Sequence, residues 1–173
     1  MADQKTLVIY YSRSGTTRQI AQALANALYA DTEEIVAIRD HAGPLGYLRS
    51  VIEARWRTPA AIGRAKKNPS DYDLVIVGTP VWAWSLSSPV RAWLMANKDR
   101  LPAVAFFCTL GGAGSDKAFG QMQEIAGKAP RACLAVTAAD VAAGRQGPSL
   151  AQFVDTLEQR SPAATAPPTF NAA

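Results

Sequence analysis

Histidine and cysteine are scarce in this sequence of 173 residues, which contains one His and two Cys. A single histidine, His41, argues against a histidine-ligated metal centre and against a histidine-activated nucleophile. Cys108 and Cys133 lack C-x-x-C spacing, and we expect both to be buried as small apolar side chains. No stretch reaches the about 18 unbroken apolar residues of a membrane helix, and no signal peptide is visible, so we expect a cytoplasmic protein.

Acidic residues are also few in the middle of the first half of the chain. Residues 39–67 contain two acids and seven basic residues, a net charge of +5 in a chain whose total is +4. Because the excess is local, the composition argues against a general nucleic-acid-binding protein. The patch is either a solvated helix face or a site that attracts an anion. Its basic residues are Arg39, Arg49, Arg55, Arg57, Arg64, Lys66 and Lys67.

Apolar runs alternate along the chain with segments of helical spacing. This pattern predicts an α/β fold, with a doubly wound parallel sheet of order 2-1-3-4-5 that is covered on both faces. We expect one domain over residues 1–160. The predicted strands lie at about 6–11, 34–38, 74–78, 103–110 and 133–136, and the predicted helices begin near residues 16, 88, 115 and 149.

Two segments fall outside this alternation. Residues 40–70 separate the second and third strands, and the spacing of Leu48, Ile52 and Trp56 predicts an amphipathic helix followed by a loop. We interpret this segment as a basic helical insertion. Residues 161–173 are rich in Ala, Pro and Thr, which predicts a flexible C-terminal tail.

A hydroxyl-rich turn lies between the first strand and the first helix. Four hydroxyl side chains within six residues meet the amides and the positive dipole end of a helix, which is a favourable place for a phosphate. The turn has one glycine and no Gly-Lys-Ser/Thr ending, so it matches neither the dinucleotide fingerprint nor a Walker loop. An ordinary helix cap is the simpler alternative. The predicted phosphate-binding residues are Ser12, Arg13, Ser14, Gly15, Thr16 and Thr17.

Two further loops are expected at the same edge of the sheet, where the strand order reverses. Two tryptophans in the first loop could flank a flat aromatic ligand, or could pack under the neighbouring helix. Three glycines in the second allow close approach of the backbone to a ligand, or form a plain turn. A monophosphate with a planar ring system, as in FMN, fits the three loops. The two loops supply Thr79, Pro80, Val81, Trp82, Ala83 and Trp84, and Leu110, Gly111, Gly112, Ala113 and Gly114.

The stretch from Val8 to Leu24 resembles the flavodoxin signature over its whole length. The run from Gly78 to Trp82 and the glycine loop at Gly111 are similar to the two flavin-ring loops of flavodoxin-like proteins. The resemblance implies that residues 12–17 bind the FMN phosphate and that residues 79–84 and 110–114 lie at the ring. Carrier flavodoxins are typically acidic and lack the 40–70 insertion, so this chain departs from them in both respects.

Three functions are compatible with these residues. The first is an electron-transfer protein with a redox partner protein, and the second is an FMN-dependent NAD(P)H or quinone reductase. The third is a binding module that keeps the fold without the flavin. No residue stands out as a general acid or base, because the redox chemistry would belong to the cofactor. The sequence leaves the oligomeric state open.

Overall fold

The computed structural model of the protein describes residues 4–38 and 61–160. Its strands are β1 (Thr6–Tyr10), β2 (Asp31–Glu34), β3 (Leu74–Trp82), β4 (Ser85–Leu86), β5 (Ala103–Leu110) and β6 (Cys133–Thr137). Its helices are α1 (Thr16–Leu28), α2 (Ser88–Asn97), α3 (Ser115–Ala126), α4 (Ala138–Ala142) and α5 (Gly147–Gln159). Short 3-10 turns occupy Pro69–Asp71 and Lys98–Arg100. No helix in these two ranges is long and apolar enough to span a membrane.

Five parallel strands form the sheet, in the order β2-β1-β3-β5-β6. The strand β4 is a two-residue return that pairs antiparallel with the end of β3. With β4 set aside, the five parallel strands have the predicted order 2-1-3-4-5, so the predicted fold class is confirmed. The order reverses between β1 and β3, where Tyr10 lies beside Gly78, and this is the edge at which doubly wound sheets bind ligands.

The core lies on both faces of the sheet. Leu7 and Ile9 of β1 belong to the apolar cluster under α2 and α3, which includes the fully buried Trp93. Val8 and Tyr10 belong to the opposite cluster, under α1 and α5. Because successive strand residues point to opposite faces, this arrangement explains why the central strands are apolar without interruption.

The position of β2 differs from the prediction. The sequence pattern placed this strand at residues 34–38, whereas the structure places it at Asp31–Glu34. The helix α1 ends at Leu28, Tyr29 adopts a left-handed conformation with φ 50°, and β2 follows at once. The strand is at the sheet edge and is polar, so it carries no apolar signal. The apolar residues Ile35, Val36 and Ile38 that suggested the strand come after it.

Three smaller expectations also need correction. The strand β3 continues to Trp82, so the first four of the six residues predicted as a ring loop, 79–82, are strand. The short helix α4 was not predicted. Cys108 is buried as expected, but Cys133 is exposed because it points outward from β6, which is an edge strand.

The predicted insertion at residues 40–70 lies mostly outside the described residues, as does the predicted tail at 161–173. The described end of the 40–70 segment lies at the edge of the sheet. Ile62 forms an antiparallel bridge with Ala37, and Ile62 and Ala65 pack against the core cluster under α2 and α3. The carboxylate of Glu33 accepts hydrogen bonds from the amides of Lys66 and Lys67, at 2.6 and 2.8 Å. This part of the segment therefore has a structural role.

Candidate functional site

A cleft of about 280 Å³ opens at the carboxyl edge of β1, β3 and β5. Four pieces of chain line it: the turn that leads into α1, the end of β3, the end of β5 with the start of the following loop, and the first residue of α4. The volume is close to the lower end of the range for small-molecule sites, about 300–1,000 Å³. The described lining residues are Arg13, Ser14, Thr16, Thr17, Pro80, Val81, Trp82, Thr109, Leu110, Gly111 and Ala138.

The turn before α1 is closed by Ser12. Its hydroxyl oxygen accepts hydrogen bonds from the amides of Gly15, at 3.1 Å, and Arg18, at 3.2 Å. Gly15 has φ 97°, a left-handed conformation that favours glycine, so the turn requires the one glycine of this motif. Because the Ser12 oxygen already accepts two hydrogen bonds, its hydroxyl proton is what remains for a hydrogen bond to a ligand. In the first turn of α1, the amides of Thr16 and Thr17 have no partner within the helix.

The other hydroxyls of the turn differ in burial. Thr17 is 2% exposed, and its Oγ1 lies 2.8 Å from Oγ1 of Thr109, which comes from the end of β5. Ser14 and Thr16 are more accessible, and their hydroxyl oxygens are 3.5 Å apart. The turn thus presents two accessible hydroxyls together with one that is held in place by the sheet.

The electrostatics of the cleft favour an anion. Among the described lining residues there is no carboxylate, and the only charged side chain is the exposed Arg13. The first turn of α1 contains no acidic residue that would oppose the helix dipole. Glu34 lies nearby, but its carboxylate forms a bidentate pair with Arg18, at 2.7 and 2.9 Å. The donor set therefore suits a phosphate, which accepts hydrogen bonds and carries negative charge.

The end of β3 turns back into β4 through a two-residue loop. The two strands and this loop form a hairpin over residues 79–87. Ala83 and Trp84 at its tip have φ values of 47° and 57°. Two consecutive positive φ values define a type I′ turn, in which Asn and Gly are preferred. Thr79, which is fully buried, holds the base of the hairpin, because its Oγ1 accepts the amide of Ser87 at 3.0 Å.

The return strand of the hairpin is fixed by one buried glutamine. Oε1 of Gln121 in α3 accepts hydrogen bonds from the Ser85 hydroxyl at 2.7 Å, the Leu86 amide at 3.2 Å and the Arg91 guanidinium at 3.1 Å. Gln121 itself is 5% exposed. These contacts tie β4 to α2 and α3, so the hairpin has a fixed base despite its unusual tip.

The two tryptophans of the hairpin occupy different positions. Trp82 is 6% exposed, lines the cleft, and makes an edge-to-face contact with Tyr11 at 5.7 Å between ring centroids. Trp84 is 62% exposed and is not among the lining residues. It lies against Gly114, where an added Cβ would be 2.8 Å from the Trp84 Cα. Trp84 therefore connects the hairpin with the glycine loop.

The structure brings together nine of the predicted site residues as cleft lining, namely Arg13, Ser14, Thr16, Thr17, Pro80, Val81, Trp82, Leu110 and Gly111. The other eight predicted site residues are not among the lining residues: Ser12, Gly15, Thr79, Ala83, Trp84, Gly112, Ala113 and Gly114. Thr109 and Ala138 line the cleft and were not predicted. Thr109 had a detectable signal, since it is a polar residue in an otherwise apolar strand, whereas Ala138 had none.

Cys108 precedes Thr109 in β5 but offers no reactive group. Burial raises the pKa of its thiol to about 12. The thiol therefore stays protonated near neutral pH, where the thiolate is the nucleophilic form.

Comparison with known proteins agrees with this architecture. A family model described as flavodoxin matches residues 5–135, and the chain belongs to the flavodoxin family. No curated protein matches the chain.

Several solved structures share the fold. A flavoprotein from Lactobacillus acidophilus, solved in complex with FMN, has a TM-score of 0.66 and 22% identity, over 83% of this chain and 99% of that one. A Bacteroides eggerthii protein described as a flavoprotein has a TM-score of 0.70 and 21% identity, over 87% and 98% of the two chains. Oxidised flavodoxin 1 from Bacillus cereus has a TM-score of 0.52 and 17% identity, over 91% and 99%.

Proposed function

We propose that this chain binds FMN in the cleft and acts as an electron-transfer protein. The observation that carries the proposal is the donor set of the turn before α1. It joins hydroxyls, helix amides and Arg13, with no carboxylate among the described lining residues. The flavodoxin signature and the FMN complex of the Lactobacillus relative support the same cofactor.

In this proposal the turn at residues 12–17 holds the phosphate, and the ends of β3 and β5 hold the flavin ring. Trp82 offers an apolar wall, and the loop after β5 offers backbone amides from Gly111 onward. When bound, FMN supplies reversible electron acceptance at its ring. The protein binds and orients the cofactor and sets the charge around it. The electrons pass to a redox partner protein or a small acceptor such as a quinone, and we place the protein in the cytoplasm.

The alternative function is an FMN-dependent NAD(P)H or quinone reductase. The observation that favours it is the basic end of the segment after β2, where Arg64 and Lys66 are exposed. Such cations attract the phosphates of a nicotinamide nucleotide. Lys67, a third described cation of this segment, pairs with Asp31 at 3.2 Å. The remaining basic residues that suggested this role, Arg39, Arg49, Arg55 and Arg57, lie outside the described residues.

One set of spectra tests the proposal and separates the two functions. We expect the apoprotein to bind FMN with quenching of the flavin fluorescence, and to bind FAD more weakly. Under anaerobic conditions, NADPH or NADH alone should leave the bound flavin oxidised, whereas added reductase should reduce it. Direct reduction by NAD(P)H would favour the reductase. If the protein had no affinity for FMN, the remaining function would be the third one, a binding module that keeps the fold without the flavin.

The basic segment gives a further prediction for either function. Changing Arg64 and Lys66 to Gln should slow electron exchange with an anionic partner at low ionic strength, because exposed charges accelerate encounter. The difference should shrink as salt is added. FMN affinity and melting temperature should change little, since exposed charges contribute little stability. An unchanged exchange rate at low salt would show that these cations are only a solvated face.

A further inference from the structure

A buried pair of threonine hydroxyls connects two walls of the cleft. Thr17 Oγ1 and Thr109 Oγ1 are 2.8 Å apart, and the two residues are 2% and 5% exposed. Thr17 is the second residue of α1, and Thr109 is the last but one residue of β5. Both line the cleft. The pair thus joins the turn that faces the proposed phosphate to the strand that leads into the glycine loop.

The number of protons in this pair determines how it can serve an anion. Each hydroxyl has one proton to donate and two lone pairs that accept. The contact between the two oxygens uses one proton, so one of the two hydroxyls keeps its proton for another acceptor. A phosphate only accepts, so Thr17 can donate to it only if the contact with Thr109 is made by the Thr109 proton. The direction of donation is then from Thr109 to Thr17 and from Thr17 to the phosphate.

We propose that Thr109 is a positioning residue that acts through Thr17 to select phosphate-bearing ligands. The inference rests on the proposed binding of FMN. Hydrogen bonds in such a chain polarise one another, so the Thr17 hydroxyl becomes a better donor when Thr109 donates to it. Thr109 is also held in place by the sheet, since β5 pairs it with Pro80 of β3 and Val136 of β6. Its oxygen is therefore in position before a ligand arrives.

Substitution of Thr109 tests this role through ligand selectivity. Thr109→Val keeps the shape and removes the hydroxyl, whereas Thr109→Ser keeps the hydroxyl. We expect Thr109→Val to weaken FMN about threefold to tenfold, the net value of one hydrogen bond, and to leave riboflavin affinity nearly unchanged. Thr109→Ser should bind FMN like the wild type. The matched control is Thr6→Val, a buried strand threonine at the other end of the sheet.

A double-mutant cycle then shows whether Thr109 acts through Thr17. If it does, Thr109→Val should change FMN affinity much less in a Thr17→Val background than alone. Additive effects would overturn the inference, as would equal losses for FMN and riboflavin or an unchanged FMN affinity in Thr109→Val. If Thr109→Val does not fold, Thr109→Ala replaces it in the same cycle. A wild-type protein that does not bind FMN would instead overturn the proposed function, so the two failures are distinguishable.

Discussion

The turn at residues 12–17 and the hairpin at residues 79–87 both contribute to the cleft, but they are stabilised in different ways. In the turn, the left-handed position is a glycine, Gly15, and the hydroxyl of Ser12 satisfies two amides. In the hairpin, the left-handed positions are Ala83 and Trp84, whose side chains disfavour that conformation by about 1–2 kcal/mol each. The comparison teaches that local sequence shapes the first wall, whereas distant contacts hold the second.

The distant contact with the largest expected effect is that between Trp84 and Gly114. Gly114 has φ 106°, and a Cβ there would meet backbone at the Trp84 Cα, which cannot move aside as a flexible side chain can. Gly114→Ala should lower the free energy of unfolding of the apoprotein by at least about 2 kcal/mol. Urea denaturation measures this change. Gly112→Ala is the control, since among the described residues no atom beyond its chain neighbours lies within 4 Å of its added Cβ. Equal losses in both variants would contradict the contact.

In the turn, the largest effect is expected from Ser12. Ser12→Ala leaves the amides of Gly15 and Arg18 without their acceptor and should destabilise the apoprotein by about 1–2 kcal/mol. It should also weaken FMN more than riboflavin, which calorimetric titration of both ligands measures. Ser14→Ala is the control for stability, because the Ser14 hydroxyl is exposed and its one contact among the described residues is the long one with Thr16, at 3.5 Å. Similar melting temperatures for the two variants would show that Ser12 does not close the turn.

The strain in the hairpin predicts a gain in stability from a substitution that usually causes a loss. Ala83→Gly removes a side chain from a residue with φ 47°, and should raise the free energy of unfolding by up to about 1 kcal/mol. Ala113→Gly should lower it by about 0.5 kcal/mol, since Ala113 is not among the positive-φ residues and glycine adds only chain entropy. Thermal denaturation of both variants measures the difference. Changes of the same sign would contradict a strained tip.

The smallest effect is expected away from the cleft, at Asp31 in β2. A hydrogen bond from the Tyr72 hydroxyl, and then one from Lys67, lowers the pKa of the Asp31 carboxyl from its ordinary value. A lowered pKa contributes stability that is present above the unfolded pKa and is lost as pH falls through the folded pKa. Asp31→Asn should therefore cost less than about 1 kcal/mol at pH 7, because the pair is exposed. The difference in melting temperature should close below about pH 4, and a constant difference would contradict the ion pair.

The sequence predicted the features that depend on local pattern. The strands that are covered on both faces are apolar without interruption, and their alternation with helical segments predicted the doubly wound sheet and its strand order. The turn before α1 was predicted from its own hydroxyl-rich residues. The edge strand β2 was misplaced because its residues are polar. It is a strand because it pairs with β1, and its own composition gives no sign of that pairing. The exposure of Trp84 depends on the left-handed tip and on Gly114, which no local signal encodes. Thr109 carried a local signal, as a polar residue in an apolar strand, but its contact with Thr17, 92 residues away in the chain, could not be predicted from local pattern.

The bridge between Ala37 and Ile62 has a consequence for how this protein can diversify. Ile38 donates its amide to the Ala61 carbonyl, and Gly63 donates to that of Val36, so the chain leaves and returns at one point. Closing a longer flexible segment between such ends costs only about 0.6 kcal/mol for each doubling of its length. Segments of different length and charge can therefore be exchanged at this place in evolution or by engineering, while the sheet and the turn at residues 12–17 remain unchanged.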